Sequence, residues 1–211
     1  MMNPILDCWS AEVETAQSAV VLPDGCRDLI CVDIPGTRPR WFVSGLDASA
    51  RFVSFPTRTV LAGARMKPGR QCDSEALLKT IRDDNADFDK ALQRVNDFVH
   101  VDSLLNDALG ALKTETTIES AANAIGLSIR SFQRLVSSST GKPPRFWKRL
   151  SRVRQAGRML AAGHRVVDCA IQCGYSDQPH LTRELRAWFG VSPKAFSQDL
   201  ELCDRIQDSG Y

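Results

Sequence analysis

The sequence predicts an α+β protein: a small β-rich N-terminal domain with a helical connector, then an all-α domain of two helix-turn-helix units joined by a long helix. Three observations predict it. Short apolar runs separated by turn residues fill residues 1–72. Apolar residues at helical spacing take over from residue 73. From residue 118 onward one pattern occurs twice. At 211 residues, 43% hydrophobic and 25% charged, the chain has enough apolar surface for such cores.

The front strands come first. VVLPDGCRDLICVDIPG is two apolar runs about a Pro23-Asp24-Gly25 turn, closed by Pro35-Gly36. WFVSG, RFVSF and TVLAGARM follow as short strands, so a small sheet or partial barrel is expected. In 73–112, Phe88, Leu92, Val95 and Val99 recur at steps of four, three and four. Leu104, Leu105, Ala108, Leu109 and Leu112 extend the stripe, with Asp102-Ser103 suited to cap a fresh helix. A helical pair packed on the sheet accounts for this pattern, and a dimer helix is the other reading. KTETT at 113–117 marks a boundary. The expected division is 1–72, a β-rich regulatory module; 73–112, a connector; 113–198, the helical domain; and 199–211, a tail.

The repeat is explicit. AANAIGLSIRSFQRLVSSSTGKPPRFW (121–147) aligns with CAIQCGYSDQPHLTRELRAWFGVSPKAF (169–196). Ala122 and Gly126 match Ala170 and Gly174 at an offset of 48. Phe132, Arg134, Gly141 and Pro144 match Leu181, Arg183, Gly190 and Pro193 at 49. One extra residue therefore lies between Ser176 and Leu181, at the tip of the second copy's last helix. In each copy a small alanine allows close crossing, a glycine ends the first helix, and Ser128 or Ser176 (with Asp177 beside it) suits a cap for the next.

The helix tips carry base-reading chemistry. Ile129, Arg130, Gln133 and Arg134 stand at the first, and Gln178, Pro179, His180, Thr182 and Arg183 at the second. Arginine pairs with guanine, glutamine with adenine, and threonine or isoleucine touches the thymine methyl. Residues 143–163 between the copies predict a helix of about 30 Å, close to one DNA turn of about 34 Å. On it Lys148, Arg149, Arg152, Arg154 and Arg158 are candidates for phosphate contact. Charge agrees: residues 113–198 hold 14 Lys and Arg against 5 Asp and Glu, whereas residues 1–112 hold 12 against 16.

Residues 118–198 resemble the AraC/XylS-type DNA-binding domain. The second copy carries most of the likeness, in Ala170, Gly174, Tyr175, Asp177-Gln178, His180, Arg183, Gly190 and Ser192-Pro193. The first matches in Ala122, Gly126, Ser128, Arg134, Gly141 and Pro144. Pro179 departs from the serine common there, and SSST at 137–140 lacks the usual lysines. The resemblance implies a non-enzymatic, sequence-specific transcription regulator. Its base contacts would come from Arg130, Gln133, Arg134, Gln178, Pro179, His180 and Arg183. Double-stranded DNA is the implied partner, with RNA polymerase, a second copy and a small-molecule effector as further candidates. LPDGCRDLICVD and GARMKPG also resemble an N-terminal module of some regulators of this family.

Other classes find less support. No run of about 18 apolar residues suggests a membrane helix, and MMNPILDCWSAEVE lacks a secretory leader's pattern. Seven cysteines at 8, 26, 31, 72, 169, 173 and 203 include no CxxC pair. A cytoplasmic chain with neither metal nor cofactor is expected. Cys169 and Cys173, beside Ala170, read as packed thiols. Cys26, next to Arg27, is a candidate sensor thiol. An alkyl-DNA repair protein would need Cys8, Cys26, Cys31 and Cys72 as a zinc set, and their spacing argues against it. A nonspecific architectural DNA binder is the remaining alternative.

Overall fold

The structure is a computed structural model, and it describes residues 3–100 and 102–211. The strands are β1 (Ile5–Val13), β2 (Gln17–Val21), β3 (Asp28–Asp33), β4 (Arg40–Val43), β5 (Arg51–Phe55), β6 (Thr59–Met66), β7 (Gln71–Cys72) and β8 (Val99–His100). The helices are α1 (Ser74–Asp83), α2 (Phe88–Phe98), α3 (Ser103–Thr114), α4 (Ile118–Ala124), α5 (Ile129–Thr140), α6 (Pro144–Ala161), α7 (Val166–Gln172), α8 (Gln178–Phe189), α9 (Pro193–Gln198) and α10 (Leu200–Arg205). They form two compact units.

The first unit comprises the chain up to Ala19, Cys26–Leu46 and Val53–Asp102. Its main sheet has the order β1-β6-β3-β4, with antiparallel neighbours. Leu29 lies opposite both Val43 and Ala64, so the three share one face. Leu77 and Ile81 of α1 and Ala91 and Val95 of α2 bury that face. Trp41 stacks on Phe88 at 6.2 Å between ring centres. The sheet is thus covered by α1 and α2; of the helical pair expected there, on the stripes at 88–99 and 104–112, only the first, α2, belongs to this unit. Helices α1 and α2 each have an aspartate cap: Asp73 accepts from the Ala76 N–H and Asp87 from the Lys90 N–H.

Strand β1 went unread in the sequence. It forms a sheet edge and buries only Val13 fully, so it lacks a strong alternating pattern. Cys26, the sensor candidate, is only 4% exposed, which removes the solvent access that role needs. Burial raises the thiol pKa values of Cys31 and Cys72. Among the described residues, no three His, Cys, Asp or Glu side chains converge on a metal-sized site.

The second unit comprises Val20–Gly25, Asp47–Phe52 and Ser103–Tyr211. Helix α3 packs on α4, α5 and α6 through Leu105, Ala108, Leu109 and Leu112. KTETT therefore lies between two helices of one unit. Residues 199–211, expected as a tail, contain α10 and two deeply buried anchors, Ile206 and Tyr211. The Tyr211 N–H donates to Asp24 O at 2.7 Å and its hydroxyl to Leu109 O at 2.8 Å. Its ring meets Trp147 edge-on at 4.9 Å. Helix α6, at 18 residues, runs about 27 Å. Trp147, Leu150, Val153, Ala156 and Leu160 line its buried side. Among the described residues, no helix is long and apolar enough to cross a membrane.

Candidate nucleic-acid interface

The two copies fold alike. Helices α4 and α7 are seven residues each, and α5 and α8 are twelve. Gly126 and Gly174, at φ 70° and 69°, follow the first helix of each pair, in the left-handed region that favours glycine. Ser128 caps α5, accepting from the Ser131 N–H at 3.2 Å. Asp177 caps α8, accepting from the His180 N–H at 2.6 Å. The caps are 49 apart and the glycines 48. The extra residue thus sits in the turn, ahead of the cap, and not in the helix tip as the alignment suggested. Ser176 is left to pair its hydroxyl with His180 Nδ1 at 3.1 Å.

Each second helix separates its faces. In α5, Phe132, Val136 and Thr140 are buried, while Ile129, Arg130, Gln133 and Arg134 are exposed. Arg130, Gln133 and Arg134 stand at i, i+3 and i+4, so they share one exposed surface. In α8, Leu181, Leu185, Trp188 and Phe189 are buried, and Gln178, Pro179 and Arg183 are exposed. His180 and Thr182 are half-buried. Thr182 Oγ1 donates to Gln178 O at 2.9 Å, and the His180 ring packs edge-on against Tyr175 at 5.2 Å. Six of the seven expected base-reading residues are therefore exposed on α5 and α8, Pro179 with an apolar surface, and His180 is partly engaged. Neither helix has an acidic residue in its first turn. The α5 tip, capped by a neutral serine, thus presents the positive end of the helix dipole, reinforced by Arg130, whereas at the α8 tip the Asp177 carboxylate offsets it.

The expected phosphate row on α6 divides differently. Arg154 is a correction. It is 1% exposed and donates to Pro23 O at 3.1 Å, Ile206 O at 3.3 Å and Asp208 O at 2.8 Å. A guanidinium enclosed in this way does not reach phosphate. Lys148 donates to Glu115 O at the end of α3, and burial, then Arg152, lowers its pKa. Arg149 pairs with Glu184 through Nε and Nη2 at 3.0 and 2.8 Å, and that bond raises its pKa. Arg152 donates to Cys173 O at 2.8 Å and also to Gly174 O. Arg158 is half-buried, and burial lowers its pKa.

Among the exposed cations that the sequence pattern did not single out are Arg145, Arg186 and Lys194. Arg145 and Lys194 occupy the first turns of α6 and α9, each just after a proline, and lie 49 residues apart. The repeat offset was the signal that could have found them. Cys169 and Cys173 are buried as expected, and burial pushes the Cys173 thiol up to about 11.

Comparison with known proteins matches residues 121–199 to the family described as a helix-turn-helix domain. The HTH-type transcriptional activator RhaS of Citrobacter koseri is 30% identical over 102 residues, which is 46% of this chain and 37% of that protein. The HTH-type transcriptional regulator ExsA of Pseudomonas aeruginosa is 28% identical over 90 residues, 42% of this chain and 32% of its own. The chain thus spans about a third of the length of these relatives. The DNA-binding domain of AdpA, a global transcriptional factor solved in complex with a target DNA, is 30% identical. That likeness covers 50% of this chain and 95% of that one, with a TM-score of 0.41.

Proposed function

We propose that residues 121–199, which match the helix-turn-helix domain family, form a DNA-binding domain of the AraC/XylS type, and that the chain is a sequence-specific DNA-binding transcription regulator. In this reading α5 and α8 enter successive major grooves tip first, and α6 holds them apart. The observation that carries it is the face separation found twice in one unit. Arg130, Gln133 and Arg134 on α5, and Gln178, Pro179 and Arg183 on α8, stand exposed opposite buried apolar faces. Arg145, Arg186 and Lys194 join the candidates for phosphate contact, and Arg154 leaves them. The β-rich module is assigned effector sensing or dimerisation, in a cytoplasmic protein that works with RNA polymerase.

Selection of binding sites from random duplex DNA, with the full chain, tests this proposal. The expected product is a site with two blocks of base preference about one helical turn, roughly 10 base pairs, apart. Equal recovery of all sequences, with binding governed only by salt, would instead make the protein an architectural binder.

A further inference from the structure

We propose that Arg149 and Arg152 are positioning residues that fix the orientation of α8, and are not phosphate ligands. The inference rests on the DNA-reading role of α8. Arg149 meets Glu184 at two points, with both nitrogen–oxygen distances at or below 3.0 Å. Such a planar two-point pairing is a property of guanidinium that lysine does not reproduce. The Glu184 side chain is only 15% exposed. For Arg149 to grip phosphate with the same fork, it must leave a largely enclosed carboxylate without its cation. The Arg149 guanidinium also lies 5.6 Å from the Trp188 ring centre. Glu184 and Trp188 are one turn apart, so Arg149 engages α8 at two successive levels.

Arg152 acts one step earlier in the chain. The Cys173 and Gly174 carbonyls it binds lie at the end of α7, where backbone oxygens lack helical partners. Its guanidinium also sits 4.2 Å from the ring centre of the buried Tyr175. Tyr175 packs against His180, and His180 is paired with Ser176. A continuous set of contacts thus runs from α6 through the turn to the first turn of α8. The first copy has no equivalent of the Arg149 pairing: Leu135 stands at the position matching Glu184. The polar link from α6 to α5 is of another kind: the Trp147 indole N–H donates to Thr140 Oγ1 at 3.1 Å, at the C-terminal end of α5.

The test uses the full chain, with Arg152→Lys, Arg149→Glu, Glu184→Arg and the double exchange R149E/E184R. Site selection and titrations over a salt series are read for each, with denaturant unfolding in parallel. The expected result for Arg152→Lys is roughly tenfold or greater loss of preference in the block read by α8. The α5 block and the salt slope stay unchanged. The double exchange is expected to recover most of the preference and of the unfolding midpoint that each single exchange loses. Uniform weakening on all DNA by Arg152→Lys, or a salt slope lower by about one in Arg149→Glu, would make these residues phosphate ligands and overturn the proposal. Equal loss of preference in both blocks would reduce them to general stabilisers, which also overturns it. If the unchanged protein selects no site, the regulator reading fails by itself. The unfolding exchange then still decides the Arg149–Glu184 link: no recovery in the double exchange sinks it.

Discussion

Arg183 and Arg154 are the same residue type in the same unit, and their surroundings give them opposite work. Arg183 projects from α8 opposite the buried Leu181 and Leu185. Arg154 is enclosed and ties Pro23 to Ile206 and Asp208. Arg183→Ala is expected to cost about 1–3 kcal/mol on the selected site and to relax preference at one base position. Competition titrations with single-base variants of that site check this, and equal weakening on random DNA would remove Arg183 from base reading. Arg154→Ala is expected to lower the unfolding free energy by at least about 2 kcal/mol, because three inward carbonyls lose their donor. Its salt slope should match that of the unchanged protein. A drop of about one, with stability intact, would return Arg154 to the phosphate row.

At the scale of the element, α5 and α8 have equal lengths and unequal entries. The caps are a serine in α5 and an aspartate in α8. An acid at that position satisfies a backbone donor and also complements the helix dipole. Asp177→Ala is expected to cost about 0.5–2 kcal/mol of stability. Ser176→Ala should stay within about 0.5 kcal/mol, since Ser176 is exposed in the turn and its hydroxyl pairs with a partly exposed histidine. Denaturant midpoints of the two variants decide, and a larger loss for Ser176 would move the cap by one residue. The repeat alone left this open because Ser176 and Asp177 are both good caps. Backbone geometry chose between them: the helix begins at Gln178, so the residue whose side chain reaches the His180 N–H is Asp177.

At the scale of the molecule, the helical unit draws on chain far from its own sequence. Val20–Gly25 and Asp47–Phe52 belong to it, as do α3 and residues 199–211. Leu22 and Pro23 are buried, Asp24 receives the Tyr211 N–H, and the Ala50 N–H donates to Trp188 O at 2.7 Å. Isolated residues 113–198 therefore lack several of the unit's anchors. Removing only residues 206–211 is expected to lower the unfolding midpoint clearly, since it takes away Ile206, Tyr211 and one side of the Arg154 cage. Calorimetry of the shortened chain checks this, and an unchanged transition would mean that the packing of Tyr211 contributes nothing to stability.

The sequence by itself determined the duplicated helix pair, the buried stripes of α5 and α8, the positions of the glycines and the basic balance of 113–198. These features depend on local spacing, on backbone preferences of single residues, or on simple charge. Even Arg154 had a local hint, because it falls four residues after the buried Leu150. Only the tertiary structure decided that Arg154 is interior, that Arg149 and Arg152 bind the protein itself, and that α3 leaves the sheet for the helical unit. Partners 131 residues away for Arg154, 35 for Arg149 and 21 for Arg152 made those choices. The destination of a charged side chain depends on which carbonyls and carboxylates folding brings to it, and helical periodicity carries no record of partners so distant.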